Sequence, residues 1–141
     1  MQSFLPYSDF IKSAKVLDYR RCGKQRIEAL QMLQAMDRTE GKGWKNHPCT
    51  KMWSSHPLAL AAYGLVMCNE WVSRGYKDTM TERFENILGK HSLHDIEMPD
   101  WLGNDDIHAS HRSNLLRKVP VYYGQFKWRE PDDLPYVWPV N

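Results

Sequence analysis

The sequence predicts an all-α protein, a compact single-domain helical bundle over residues 1–141 that ends in an extended C-terminal tail rich in aromatic residues and proline. Apolar residues recur at helical spacing through most of the chain, and no stretch shows the alternation of a half-buried strand. Because 42% of the 141 residues are hydrophobic, the chain can bury one core without disulfides or a structural metal.

Two helices are predicted in the N-terminal third. Ser8 and Asp9 begin the first, whose apolar residues lie between positions 10 and 17. The pair Cys22-Gly23 predicts a break or kink. A second helical pattern follows it and continues as far as residues 39–43, where two glycines end it.

The middle of the chain holds its most apolar segment. Residues 44–55 are polar, aromatic and interrupted by proline, so they predict a loop or a short irregular segment. Residues 58–71 are apolar on nearly every side of a helical wheel, as expected of a central buried helix. Thr79 and Glu82 then have the spacing of a capping box for a short helix.

The last predicted helix, residues 107–118, contains two histidines and three cations but no carboxylate. Asn104 precedes it as an N-cap, and Pro120 prevents helix beyond about residue 119. We interpret this helix as the working surface of the protein.

Several polar side chains project into apolar helix faces. His108 and Arg112 lie among the apolar residues of the last helix, and Arg26 lies within the leucine stripe of the second. Burying such groups without partners costs roughly 1–3 kcal/mol each, so they either pair internally or line a pocket. We predict a pocket for a phosphate or a base edge on which four residues converge: Arg26, His108, His111 and Arg112.

The net charge of +2 gives no global field toward nucleic acid, but the charge is uneven. Between Lys12 and Arg26 there are six cations and one acid. Arginine forks match phosphate, and aromatic faces stack on bases, so this combination suits a nucleotide or a flipped-out base. The predicted base-stacking residues are Trp44 and Trp53. The alternative is that Arg20, Arg21 and Lys24 form a solvated helix face without a partner.

Other classes of protein find little support in the sequence. Three cysteines without a paired framework and the lack of a signal segment predict a reduced, cytoplasmic protein, and no apolar run is long enough for a membrane. The histidine pairs at 91/94 and 108/111 offer two ligands each, so no metal is expected. No phosphate loop, serine elbow or zinc-protease motif occurs, and no cofactor is expected. The oligomeric state is left open.

Several blocks of the chain are familiar together, namely LDYRRCGKQRIEALQML, NHPCTKMWSSHPLALAAYGLVMCNEWVSRGYKDT, PDWLG, and HASHRSNLLRKVPVYYGQF with LPYVWP. They resemble a bacterial and phage family grouped with the pyrimidine-dimer DNA glycosylases of the endonuclease V type. The resemblance spans nearly the whole chain and implies a compact all-α domain, DNA as partner and a role in DNA repair.

The resemblance also implies a chemistry. In the pyrimidine-dimer DNA glycosylases, the α-amine at the chain start attacks the sugar C1′ and expels the base. The amine then forms a Schiff base that leads to strand cleavage, and a glutamate assists the reaction. The bulky Gln2 should hinder methionine removal, so the amine here would belong to Met1, with Lys24 as the fallback amine. The motif that carries the glutamate corresponds to Tyr19-Arg20-Arg21, where Arg21 replaces the acid. Asp18 and Glu28 are then the nearest acids.

Phosphate contacts are the second implication. In the pyrimidine-dimer DNA glycosylases, arginines of the first helix and of a late helix bind DNA phosphates. The matching regions of this chain contain Arg20, Arg112 and Arg117. The full predicted set for nucleic acid or phosphate is Arg20, Arg21, Arg26, His108, His111, Arg112, Asn114, Arg117 and Lys118. Two alternatives stay open: a non-catalytic nucleotide or nucleic-acid binding protein with an Arg/His pocket, and a structural protein in which these side chains pair internally.

Overall fold

The computed structural model of the protein describes residues 1–37 and 43–140 and confirms the all-α prediction. Within these residues there are seven α-helices and no strand. The helices are α1 (Phe10–Val16), α2 (Tyr19–Met36), α3 (Pro48–Trp53), α4 (Pro57–Ser73), α5 (Thr81–Leu88), α6 (Asp105–Lys118) and α7 (Pro120–Tyr123). Short 3₁₀ helices cover Gly43–Asn46 and Gly124–Phe126.

Helix α4 is the central helix, as its apolar sequence predicts. Its residues from Ala59 to Gly64 are all buried, and it packs against α1, α2 and α5. A Cβ added at Gly64 would lie 2.3 Å from the ring of Phe84, so the glycine allows α5 to approach this closely. In the described part of the chain, no helix is long and apolar enough to cross a membrane.

The predicted break at Cys22-Gly23 is wrong, because α2 continues through both residues from Tyr19 to Met36. Gly23 serves the packing of the helix instead of interrupting it. A Cβ at this position would lie 2.8 Å from the indole of Trp71 on α4. A glycine that looks like a helix breaker in the sequence is therefore a contact point between two helices. The predicted helix end at 39–43 lies largely outside the described residues.

Two local predictions need correction. The segment predicted as a loop at 44–55 forms a 3₁₀ turn and then α3, which Pro48 begins and the ring of His47 caps by accepting a hydrogen bond from Cys49 N at 3.0 Å. The cap of α5 comes from Asp78 and not from a Thr79 capping box. The Asp78 carboxylate accepts from the backbone nitrogens of Met80 and Thr81, at 3.0 and 2.7 Å.

Helix α6 has the predicted ends. Asn104 accepts a hydrogen bond from Asp106 N at 3.1 Å, and the helix stops at Lys118, two residues before Pro120. Two segments without helix lie against it: the N-terminal arm, residues 1–7, and the C-terminal tail, residues 127–140. Both ends of the described chain are thus attached to the same helix.

Candidate functional site

Side chains of helices α2, α4 and α6 bind the backbone of the N-terminal arm. Phe4 N donates to Gln25 Oε1 at 2.7 Å, and the hydroxyl of Tyr63 donates to Phe4 O at 2.9 Å. Leu5 N donates to His111 Nδ1 at 2.9 Å. Because buried backbone groups need partners and these are supplied by fixed helices, the path of the arm is determined residue by residue.

The two histidines of α6 act on this arm as neutral side chains. Nδ1 of His108 is 2.8 Å from Leu5 O and donates to it, while its Nε2 accepts from Gly103 N at 3.0 Å. His111 accepts through Nδ1, so its proton sits on Nε2, which has no partner among the described residues. Burial lowers the pKa of both rings, and that of His111 falls to about 3.

The two arginines of the predicted pocket are bonded within the protein. Arg112 donates to the Glu130 carboxylate, to Pro6 O at 2.7 Å and to Asp105 Oδ1 at 3.1 Å. Arg26 donates to the Asp78 carboxylate and to Gly23 O at 3.1 Å. The guanidinium of Arg26 also lies 4.5 Å from the ring centre of Trp71.

The predicted convergence of Arg26, His108, His111 and Arg112 is therefore corrected. Arg26 faces α4 and Asp78, whereas the other three hold the N-terminal arm, and His111 is fully buried. His108 and Arg112 do line a shared pocket of about 310 Å³, without the other two. The alternative of internal pairing describes both arginines better. Burial opposes ionisation of Asp78, but hydrogen bonds from Thr81 and Arg26 outweigh it and lower the pKa of Asp78 to about 2.

The opposite face of α6 holds the C-terminal tail. Asn114, predicted to bind phosphate, donates from Nδ2 to Ser110 O at 2.8 Å and to Leu134 O at 3.0 Å, and its Oδ1 accepts from Arg117. Ser113 Oγ donates to Pro131 O and accepts from Leu134 N. Ser110 Oγ accepts from Val137 N at 3.2 Å. The predicted working surface is thus a clamp that holds the arm on one face and the tail on the other.

A cavity of about 380 Å³ opens where the arm meets α2, the end of α6 and the tail. We call it the N-terminal cavity. It is lined by Met1, Gln2, Phe4, Arg20, Arg21, Lys24, Gln25, Glu28, Lys118 and Tyr136. It therefore brings together both predicted amines, Met1 and Lys24, with three of the predicted phosphate-binding cations.

Glu28 supplies the carboxylate of this cavity. Its side chain is mostly buried, and Oε2 accepts from Gln25 Nε2 at 2.9 Å and from Gln2 N at 3.3 Å. Oε1 lies 3.8 Å from the ammonium of Lys24. The other nearby acid, Asp18, is engaged with Arg21 and the hydroxyl of Tyr123 and does not line the cavity. Glu28 is the only carboxylate of α2, the signal that would have singled it out in the sequence.

Cations surround the mouth of the cavity. Arg20 is exposed, with Nε donating to the Tyr19 hydroxyl at 3.2 Å, and Arg21 pairs with Asp18 at 3.3 Å. Burial lowers the pKa of Lys118, and the positive charges of Arg21, Arg117 and Lys24 lower it further. Four cations from two helices thus lie near one another, namely Arg21, Lys24, Arg117 and Lys118. This positive charge favours an anionic ligand.

The two tryptophans predicted to stack on bases differ in position. Trp53 is fully buried, donates from Nε1 to Ser3 Oγ at 2.9 Å and packs edge-on against Trp101, so it cannot reach a ligand and the prediction is wrong for it. Trp44 is 45% exposed on the 3₁₀ turn, and its ring contacts His47. A base-stacking role stays a prediction for Trp44. Two aromatic residues line the cavity, Phe4 and Tyr136, and the sequence predicted neither as a site residue.

Within residues 1–37 and 43–140, no group of three or more His, Cys, Asp or Glu side chains is arranged to hold a metal ion. The three cysteines are buried and unpaired. Burial raises the pKa of Cys49, which lies beneath the arm beside Ser3, to about 12, so this thiol stays protonated at neutral pH.

The chain matches the model of a known protein family. The family model described as pyrimidine dimer DNA glycosylase matches residues 1–83, which include Met1, Lys24 and Glu28. The match covers more than half of the chain and confirms the suspected resemblance; Lys118 and Tyr136 lie outside it. Comparison with curated proteins and with solved structures gave no significant match.

Proposed function

Because this chain belongs to the pyrimidine dimer DNA glycosylase family, whose substrate is DNA, we propose that it is a DNA glycosylase with lyase activity on damaged or modified bases. The observation that carries this proposal is the N-terminal cavity, in which the first residue of the arm, a buried carboxylate and a group of cations share one space. An amine nucleophile, an acid-base group and phosphate contacts are what such a reaction requires.

In the proposed reaction, an unprotonated amine attacks C1′ of the deoxyribose. The base leaves with the electron pair of the glycosidic bond and takes up a proton. The amine nitrogen loses one proton, and the C1′–O4′ bond then breaks while O4′ takes up a proton, which leaves a protonated Schiff base between the amine and C1′. Removal of a proton from C2′ then expels the 3′ phosphate and breaks the strand. Glu28 is suited to accept the proton of the amine, because its carboxylate is already at the arm, 3.3 Å from Gln2 N.

Both predicted amines lie beside this carboxylate. The α-amine of Met1 belongs to the residue before the Gln2 nitrogen, and Lys24 Nζ lies 3.8 Å from Glu28 Oε1. A terminal α-amine is less basic than a lysine amine, so more of it is unprotonated near neutral pH. The buried arm also restrains Met1, whereas the Lys24 side chain is 70% exposed. Met1 is therefore the proposed nucleophile.

The cations would hold the DNA backbone on either side of the reacting sugar. Arg20 and Arg21 come from α2 and Lys118 from the end of α6, and all three line the cavity. Guanidinium and ammonium groups bind phosphate oxygens and displace counterions. Arg117, which donates to Asn114 and contributes to the same positive field, would contact a more distant phosphate.

Borohydride trapping with a duplex that carries an abasic site tests the proposal. Borohydride reduces a Schiff base to a stable amine, so the wild-type protein should form a covalent adduct with the DNA. Glu28→Gln should lower the rate of adduct formation by about 100-fold or more, the usual contribution of a general acid-base group. A melting curve of each variant excludes unfolding as the cause.

Two altered forms of the protein identify which amine is the nucleophile. A fused N-terminal tag should abolish the adduct if Met1 is the nucleophile, while Lys24→Ala should retain it. The reverse pattern would assign the chemistry to Lys24. DNA binding without any adduct would instead support the alternative, a non-catalytic nucleic-acid binding protein.

A further inference from the structure

The two histidines of α6 bind both backbone groups of one residue in the N-terminal arm. His111 Nδ1 accepts a hydrogen bond from Leu5 N at 2.9 Å, and His108 Nδ1 donates to Leu5 O at 2.8 Å. Arg112 donates to the next carbonyl, Pro6 O, at 2.7 Å. Because these three side chains lie within about one turn of α6, this helix holds the arm at two consecutive residues.

His111 makes this attachment at the expense of the core. The ring is fully buried, and its Nε2, which carries the proton when Nδ1 accepts, has no partner among the described residues. A buried donor without a partner is unfavourable for stability. Among the described residues, the one hydrogen bond of the ring is that from Leu5 N. The place of this histidine is therefore explained better by the position of the arm than by the stability of the core.

Nearer the chain start, the attachment of the arm is weaker. Phe4 N lies 2.7 Å from Gln25 Oε1, whereas Gln2 N lies 3.3 Å from Glu28 Oε2. Since Glu28 takes up a proton in the proposed reaction, its bond to the arm weakens while the amine has to stay in place. The position of the amine then depends on the attachments at residues 4–6.

The arm cannot slide past α6 without placing its side chains in the wrong surroundings. Gln2 and Phe4 line the N-terminal cavity, whereas Ser3 and Leu5 are fully buried. A shift by one residue moves the chain by about 3.5 Å and exchanges these two sets. A shift that placed Pro6 at the α6 acceptor would also remove the hydrogen bond, because proline has no N–H. The bonds from α6 thus select one register of the arm.

We propose that His108 and His111 are positioning residues of the reaction. By binding the backbone of Leu5 they set the register of the arm and so keep the α-amine of Met1 at the carboxylate of the N-terminal cavity. The inference rests on the proposed function and assigns a role to α6, which lies outside residues 1–83, the region that the family model matches. Neither histidine contacts the reacting atoms or takes part in the proton transfers.

Borohydride trapping at saturating abasic-site DNA, followed by proteolysis and mass spectrometry, measures the rate of adduct formation and identifies the amine that carries the adduct. His111→Leu removes the acceptor and should lower the rate at Met1 by about 100-fold, the loss that a misplacement of about 1 Å can cause. The share of adduct on Lys24, which belongs to α2 and not to the arm, should rise. The affinity for a duplex with a tetrahydrofuran abasic analogue, which forms no Schiff base, should stay within about twofold.

Two further variants separate positioning from stability. His111→Asn places an amide oxygen where it can accept from Leu5 N, so it should react within about threefold of the wild type. Phe84→Leu is the matched control for stability, because Phe84 is fully buried on α5 and packs against Gly64, away from the described lining of the cavity. This variant should melt at a lower temperature with the wild-type rate and adduct site.

A lengthened chain tests the register without any change in the core. A protease-cleaved fusion that leaves one glycine before Met1 keeps the bonds of residues 2–6 and moves the amine by about 3.5 Å. Because the arm cannot slide to compensate, this protein should react at least about tenfold more slowly than the wild type. Should His111→Leu fail to fold, this protein and His108→Leu, which removes the donor to Leu5 O, decide the question.

The outcomes separate the inference from the proposed function. Wild-type rates at Met1 in the two leucine variants or in the lengthened chain overturn the positioning and leave the glycosylase proposal in place. An equal loss of rate in Phe84→Leu overturns it as well, because general stability then explains the effect. A wild-type adduct on Lys24 alone also overturns it, since the arm would not carry the nucleophile. No adduct with the wild-type protein overturns both proposals.

Discussion

The cations of α2 fall into two groups that differ in what they contact. Arg26 is buried, pairs with Asp78 and lies over an indole. Arg20 is exposed, lines a cavity and donates a hydrogen bond to the Tyr19 hydroxyl. They are six residues apart on one helix. A cation that interrupts an apolar stripe is thus a poor indicator of a binding site here, while one on the solvated face, whose pattern is ordinary, reaches the N-terminal cavity.

The physical reason is the cost of burial. A guanidinium removed from water needs a countercharge with good hydrogen bonds, and Asp78 supplies it for Arg26, so the charge of a ligand is not required there. Arg112 is in the same position with Glu130 and Pro6 O. The exposed cations remain hydrated and keep donors for phosphate. Replacing a member of the buried group should therefore lower the free energy of unfolding, whereas replacing a member of the exposed group should lower the affinity for DNA.

The largest effect is expected from the buried pair. Asp78→Asn leaves the Arg26 charge uncompensated, and removing one partner of such a pair costs about 3–5 kcal/mol of the free energy of unfolding. Urea denaturation measures this directly. Arg20→Ala, on the exposed side of the same helix, should change the free energy of unfolding by less than about 0.5 kcal/mol. Equal losses in the two variants would remove the distinction between the groups.

The next largest effect is expected from acid, because the buried histidines that hold the arm are neutral in the folded protein. The folded pKa of His111, about 3, lies below its unfolded value of 6.5, so as the pH falls the unfolded state takes up the proton first. Stability is then fully present above about pH 6.5 and falls by about 1.4 kcal/mol per pH unit until pH 3. His108 contributes in the same direction. Denaturation between pH 6.5 and 4.5, above the range of Asp78, measures the slope.

His111→Gln is the matched variant for this prediction, since the amide oxygen can still accept from Leu5 N while the group no longer titrates. Its slope between pH 6.5 and 4.5 should be smaller by up to one proton than that of the wild type. A variant with the wild-type slope would show that other groups cause the acid sensitivity.

The smallest effect concerns the exposed group and DNA. Removing one cation that binds a phosphate should flatten the dependence of log affinity on log salt by about one unit. Arg20→Ala and Lys118→Ala should each do so and weaken binding across all sequences. The Arg112→Ala variant, although it lies on a helix whose sequence is basic, should keep the wild-type slope. An unchanged slope in Arg20→Ala would place Arg20 outside the DNA interface.

The sequence predicted the features that local interactions determine and missed those that depend on residues far apart in the chain. The limits of α6 followed from Asn104 and Pro120, and the burial of α4 from its composition, because these are local properties. The destinations of the polar side chains were not local. Arg26 meets a carboxylate 52 residues away and His111 a backbone nitrogen 106 residues away, and helical spacing contains no information on such partners.

The same limit explains the errors at the site. Trp53 and Trp44 lie in the same polar segment of the sequence, and the packing of Trp53 against Tyr63 and Trp101 decides that Trp53 is buried. Gly23 looked like a break because its neighbour Trp71 is on another helix. The family resemblance pointed to Met1, Lys24 and Arg20, which line one cavity, whereas Tyr136 on the tail required the structure.

The attachment of the arm to α6 has a consequence for how the protein is made. The bonds from Leu5 to His111 and from Pro6 to Arg112 each close a loop of 106 residues, among the slowest kinds of contact to form. At a synthesis rate of roughly 5–20 residues per second, the arm waits some 5–20 s on the ribosome before its partners exist. Because Lys118 and Tyr136 line the N-terminal cavity, the cavity is complete only after α6 and the tail have emerged.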